Sequence, residues 1–102
     1  MIESIFKSFI EFVGTFIFLN VIIKYVKEKV QWAAFPIALT LLAMIFWAGS
    51  LTGGHFNPAV TTMFYFDKSI SPIRTVLYII AQLLGGFAAL QFYNFSIPSM
   101  KK

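Results

Sequence analysis

A short polar break, Gly53-Gly54-His55-Phe56-Asn57-Pro58-Ala59-Val60-Thr61, interrupts this chain inside a run from Val30 to Phe66 that carries no formal charge. Backbone carbonyls bared to hydrocarbon cost on the order of several kcal/mol each, so such a break is tolerable only when buried in protein or lining a wet cavity. Gly53 and Gly54 permit a sharp reversal with the backbone laid bare. Asn57 can cap a following helix, and Pro58 suits its first position because its φ is fixed and it has no N–H to satisfy. That helix, from Ala59 to about Phe66, is too short to cross a bilayer. It is expected to re-enter from one side and return to it, with its positive end aimed at whatever passes the midplane.

Composition sets the surroundings. The 102 residues are 59% apolar and 12% charged, more apolar surface than so short a soluble domain could hide. Three segments approach the roughly 20 apolar residues of a spanning helix: about Ile5 to Val26, Ala33 to Thr52 and Ile73 to Phe95. The expected fold class is all-α integral membrane, with three transmembrane helices plus one re-entrant half-helix in a single membrane domain over residues 1–102. The first apolar stretch exceeds the roughly 7 to 15 residues of a signal peptide and no small-x-small cleavage site follows, so it is expected to be retained. An initiating Met1 and a terminal Lys101-Lys102 fit a finished short protein.

With no cysteine, disulfides, thiolate metal sites and thiol catalysis are excluded. The net charge of +4 comes from Lys and Arg near the ends of the apolar segments, where they reach headgroups, and no separate basic face suggests nucleic acid. No nucleophile–base pair, metal cluster or phosphate loop is present, so neither an enzyme nor a cofactor is expected.

Glu11 interrupts an oily helix. A carboxylate there should face the bundle interior and find donors, unless it sits close enough to the helix start to be interfacial. Inside, it would serve either as a proton-coupling group or as a brace for the irregular backbone, and the Gly53 to Thr61 break favours the brace. Lys24, Lys27, Glu28 and Lys29 read as a polar turn before an interfacial Trp32, and Pro36 is tolerated near a helix start. The second helix should dissolve at about Gly49 to Gly54. Asp67 and Lys68 mark the return to water, and Ser71-Pro72 opens the third span, which carries Gln82 and the small residues Gly85, Gly86, Ala88 and Ala89 for close helix packing.

Three blocks, Glu11 through Phe16, Thr52 through Thr61 and Tyr78 through Gly86, together resemble the major intrinsic proteins, the aquaporins and aquaglyceroporins, in order and spacing over almost the whole chain. The resemblance implies half of an aquaporin-like fold. It implies that Asn57, within Asn57-Pro58-Ala59, donates its side-chain amide to a passing solute, and that the carbonyls of Gly53, Gly54 and His55 form a ladder of acceptors. It further implies an apolar wall of Phe18, Ile37, Leu41 and Val60, with Glu11 and Gln82 bracing the loop from behind. His55 then reads as a loop-stabilising or carbonyl-presenting residue, with a titrating pH gate as its alternative.

Family members resemble two such units fused in inverted orientation, whereas this chain has one. Lys7, Lys68 and Arg74 fall on one side of a three-span layout and Lys24, Lys27, Lys29, Lys101 and Lys102 on the other, a weak bias that specifies orientation poorly. The expected function is therefore a channel subunit for water or small neutral solutes such as glycerol. Its pore is completed by another half-repeat, a paralogue or a second copy inserted oppositely as an antiparallel homo-oligomer in the lipid bilayer. Val60 stands where relatives often place an arginine in the second repeat, and Ile37 where many water-selective members carry an aromatic, so the filter should be apolar. The competing readings are a small antiporter using Glu11 as a proton-coupled carboxylate and a non-conducting regulatory subunit of a full-length relative.

Overall fold

The computed structural model describes residues 1–97. Residues 98–102, including the Lys101 and Lys102 counted in the charge balance and a Ser99 suited to labelling from one side, lie outside the described residues. Four helices follow one another: α1 (Ile2–Lys27), α2 (Ala34–Thr52), α3 (Pro58–Phe66) and α4 (Pro72–Ser96). Three of them, α1, α2 and α4, are long and apolar enough to cross a membrane. At roughly 1.5 Å per residue the nine residues of α3 rise only about 13 Å, less than half of a hydrocarbon core of about 30 Å.

Each helix boundary has a local cause. Asn57 and Ser71 are extended N-caps whose side-chain oxygens accept the N–H groups of Ala59 and Arg74, and each precedes a proline. The second helix ends at Thr52, within the expected Gly49 to Gly54 interval, where Gly53 turns left-handed at φ 97°. Its glycine is a C-cap, and Gly49 remains an ordinary helical residue. Lys24 and Lys27 likewise belong to α1, not to a separate turn; the chain reverses only after Glu28, through positive φ at Lys29 and Trp32. Pro36 falls within the first turn of α2, where its missing N–H leaves nothing unpaired.

The third element, α3, packs on α4, and α1 lies between α2 and α4, touching both. Gly85 sets the α1–α4 approach, since a Cβ there would stand 3.0 Å from the Phe12 carbonyl oxygen and from Thr15 Cβ. At one end of this seam Arg74 reaches Glu3 at 3.2 Å and Ser4 at 3.1 Å; at the other, Tyr93 donates its hydroxyl to Glu28 at 3.2 Å.

Burial is inverted relative to a soluble protein. The largest fully buried side chains are Tyr78, Gln82, Glu11, Thr15 and Thr61, while Phe46 and Phe95 are more than 80% exposed. Apolar side chains outward and polar ones inward is the distribution that a bilayer solvent requires.

The loop between α2 and α3 docks through Phe56, whose ring lies directly over Gly14: any Cβ at Gly14 would fall within that ring. We expect Gly14→Ala to cost about 1–3 kcal/mol through overpacking, read as a lowered midpoint of thermal unfolding in detergent. Gly49→Ala, where the new Cβ meets only Ile45 Cγ2 at 3.8 Å, should leave that midpoint unchanged or raise it.

Candidate functional site

Glu11 is fully buried, on the face of α1 turned toward the loop. Its Oε2 accepts the Thr52 hydroxyl at 2.7 Å and the His55 N–H at 3.0 Å; its Oε1 accepts the Phe56 N–H at 2.8 Å and Gln82 Nε2 at 3.0 Å. A carboxylate has about four acceptor sites. Four donors from three parts of the chain meet them here.

The remaining loop amides are also consumed. The Gly54 N–H goes to Thr52 Oγ1 at 3.0 Å, and the Gly53 N–H to the Gly49 carbonyl at 3.0 Å. Tyr78 donates its hydroxyl to the Thr52 carbonyl at 2.8 Å. Since every N–H from Gly53 to Phe56 faces inward, the carbonyls are turned the other way. Among the described residues no donor reaches the carbonyl oxygens of Gly53, Gly54 or His55.

Left-handed conformations at Gly53, Gly54 (φ 60°) and Phe56 (φ 52°) make this arrangement possible. For Gly54 the requirement is also one of space, since the loop runs back along α2 with the Gly54 Cβ position 3.5 Å from the Cα atoms of Ile45 and Gly49. Phe56 lacks the freedom of glycine, and its strain, about 1–2 kcal/mol, is offset by the amide bond to Glu11 and the seat against Gly14.

A second polar layer lies beneath. Thr61, wholly buried, receives Gln82 Nε2 at 2.8 Å and sits 2.8 Å from His55 Nδ1. With Gln82 Nε2 donating to Thr61 Oγ1, the Thr61 hydroxyl proton is directed to Nδ1, which puts the imidazole proton on Nε2. The His55 ring is held between Phe64 and Tyr78, at 5.0 and 5.3 Å.

Asn57 stands at the exposed tip. Its Oδ1 accepts the Ala59 N–H at 2.8 Å, which orients the amide and leaves Nδ2 without a partner among the described residues. The Val60 N–H at the start of α3 is similarly free.

Beside this tip runs a groove of about 270 Å³. It brings together Phe18, Leu41, Gly54, His55, Asn57 and Val60, and adds Ile45 and Phe56, which sequence reasoning missed. Ile45 was within reach of it, one turn beyond Leu41 on the same face of α2. Ile37, one turn before Leu41, lies beyond the groove's lining, as do the exposed Gly53 and Ala59; Pro58 lines a neighbouring hollow with Thr15 and Gln82. Thr52, Thr61 and Tyr78 also escaped notice as site residues. Tyr78 shares the face of α4 that carries Gln82 at i+4, a spacing that could have found it.

Three helices able to span a bilayer, a half-length α3 behind a buried polar turn, and apolar faces turned outward define an integral membrane protein. The model of the family described as "Major intrinsic protein" matches residues 2–101, and the chain belongs to that family. It is 34% identical over 100 residues to "Probable aquaporin PIP2-7" of Oryza sativa subsp. japonica, covering 83% of this chain and 34% of that protein. It is 40% identical over 88 residues to "Glycerol uptake facilitator protein-like 6" of Lactiplantibacillus plantarum, covering 81% and 40%. To "Lens fiber major intrinsic protein" of Ovis aries it is 38% identical over 69 residues, covering 67% and 26%. The chain thus spans well under half the length of these curated relatives. No solved structure matches.

Exchanging one carboxylate oxygen for an amide turns an acceptor of two bonds into a donor facing donors. Glu11→Gln should therefore destabilise the protein by about 2–6 kcal/mol, taking about 1–3 kcal/mol for each of the two donors left unpaired. The His55 and Phe56 amides should lose hydrogen-exchange protection before the helices do, a difference that exchange mass spectrometry in detergent resolves.

Proposed function

We propose that the chain forms one half of a channel for water and small neutral solutes, completed by a second copy inserted in the opposite orientation. The observation that carries this reading is the one-sidedness of the loop. The amides of Gly54, His55 and Phe56 are bonded inward, so the carbonyls of Gly53, Gly54 and His55 are left as acceptors, with Gly54 and His55 beside the apolar Phe18, Leu41 and Ile45. A single file of neutral molecules would exchange bulk hydrogen bonds for those acceptors, while the oily wall keeps any molecule from being held too tightly. Asn57 Nδ2 and the positive end of α3 would supply donors at the midplane and repel cations.

The groove is open where the other half of a pore would stand. A bilayer cannot cover Asn57 and the start of α3, because their polar groups would face hydrocarbon. An oppositely inserted copy would do so, placing two Asn57 side chains together about a two-fold axis in the membrane plane. Weakly biased charge supports this: Lys7, Lys68 and Arg74 stand against Lys24, Lys27, Lys29, Lys101 and Lys102, a difference too small to fix one orientation. Glu11 and Gln82 act as the brace, Val60 and Leu41 keep the filter apolar, and no covalent chemistry is assigned.

The antiporter reading has less support. Glu11 is fully buried and all four of its acceptor positions are taken, which leaves no oxygen for a transported cation.

Vesicles reconstituted with the protein should shrink faster than empty ones in an osmotic stopped-flow assay, and should then re-swell when the osmolyte is glycerol. Asn57→Leu, which removes the donor at the tip, should lower both rates by about tenfold, the effect of about 1.4 kcal/mol of lost stabilisation. No flux of either solute above empty vesicles would end the channel reading.

The chain has no native cysteine, so Lys27→Cys and Lys68→Cys variants report its two ends. An impermeant maleimide applied outside intact cells should label a substantial fraction of the copies of each variant and all of neither, as insertion in both orientations gives. Complete labelling of one variant and none of the other would refute dual insertion and favour a separate complementary subunit.

A further inference from the structure

Where α1 and α4 leave their tight crossing at Gly85, they part. Beyond Ala89 the facing positions on α4 are taken by Phe92 and Tyr93, and the seam opens into a groove of about 530 Å³ at the Lys24 end of α1. The Phe16 and Phe92 rings meet edge to face at 5.7 Å and close its inner end. Phe16, Ile17, Val21 and Phe92 line its inner part, with the Asn20 amide tied back to the Phe16 carbonyl at 2.8 Å, and Lys24, Tyr93, Ser96 and Ile97 lie toward the helix ends.

Depth and charge together select an occupant. From Phe16 to Lys24 the groove follows α1 for about 12 Å, close to the hydrocarbon depth of one leaflet, about 15 Å. Its polar end therefore stands at headgroup level. Lys24, Lys27 and Lys29 are set there against a single acid, Glu28, which Lys24 approaches at 3.6 Å and which also accepts the Tyr93 hydroxyl at 3.2 Å. Lys27 lies over the Tyr93 ring, 6.0 Å from its centre. The rim keeps a surplus of positive charge among the described residues. A zwitterionic headgroup would bring a second cation to this rim, whereas an anionic one would answer its surplus charge.

We infer that this groove binds one acyl chain of an anionic glycerophospholipid from the surrounding bilayer, with its phosphate on Lys24 and Lys27. The site lies on the α1–α4 seam, away from the groove beside Asn57, and does not depend on the channel reading. The lipid would fill the parting of the two helices whose crossing holds Glu11 and Gln82 together.

Native mass spectrometry of the detergent-purified protein tests this with phosphatidylglycerol and phosphatidylcholine of identical chains. Wild type should retain phosphatidylglycerol at collision energies that strip phosphatidylcholine. The K24Q/K27Q double variant should lose that preference severalfold, while K7Q/K68Q at the opposite end keeps it. V21F, which narrows the groove without changing charge, should weaken retention of both lipids. Equal retention of the two lipids by wild type, an unchanged preference in K24Q/K27Q, or an equal loss in K7Q/K68Q would each overturn the proposal. Since these readouts need no solute flux, their failure is separable from failure of the channel reading.

Discussion

One buried carboxylate organises this chain. Glu11 holds Thr52 at the end of α2, the amides of His55 and Phe56 in the loop, and Gln82 on α4. Charge-assisted hydrogen bonds are roughly twice as strong as neutral ones, and the low-dielectric interior of a membrane protein strengthens them further. The same surroundings make an unpaired carboxylate intolerable, so the loop and the acid depend on each other. Four donors offset the burial of one charge, and that charge fixes an irregular stretch that no regular backbone ladder could hold.

The direction of those bonds determines what the loop offers outward. A peptide unit whose N–H points at Glu11 turns its C=O roughly the opposite way, and left-handed φ values at Gly53, Gly54 and Phe56 keep successive units aligned. Gly14 is part of the same device, because its missing side chain gives the Phe56 ring a place to lie. Thr61, His55 and Gln82 form the layer below and tie the start of α3 to α4.

Much of this was legible in the sequence, and the rest was not for physical reasons. Hydrophobic length located the three spans, and the Asn57-Pro58 and Ser71-Pro72 pairs located two helix starts, because caps are local chemistry. The end of α2 fell where the span was expected to stop, at Thr52, and φ identifies Gly53 rather than Gly49 as the glycine that caps it. Glu11 and Gln82 stood out because polar groups in an oily helix are costly. Thr52, Thr61 and Tyr78 did not, since threonine and tyrosine are ordinary in apolar helices and their roles arise from contacts across the fold. Phe56 was hidden by its own type: nothing in a phenylalanine announces a positive φ.

The inverted burial sets the final constraint. Outward-facing Phe46, Phe87 and Phe95 are satisfied by lipid, but the tip at Asn57 is not. A half-helix of nine residues ends near mid-depth, at about 13 Å of a core of about 30 Å, so its free Val60 N–H and Asn57 Nδ2 meet hydrocarbon unless water or protein covers them. Water alone would need a path to both surfaces, and this chain walls only one side of such a path. Covering the tip and completing the path are the same geometric demand, and a surface that mirrors this one about an axis in the membrane plane meets both. On the proposed reading, the polar turn that Glu11 holds in place and the copy that covers it are the two sides of one pore.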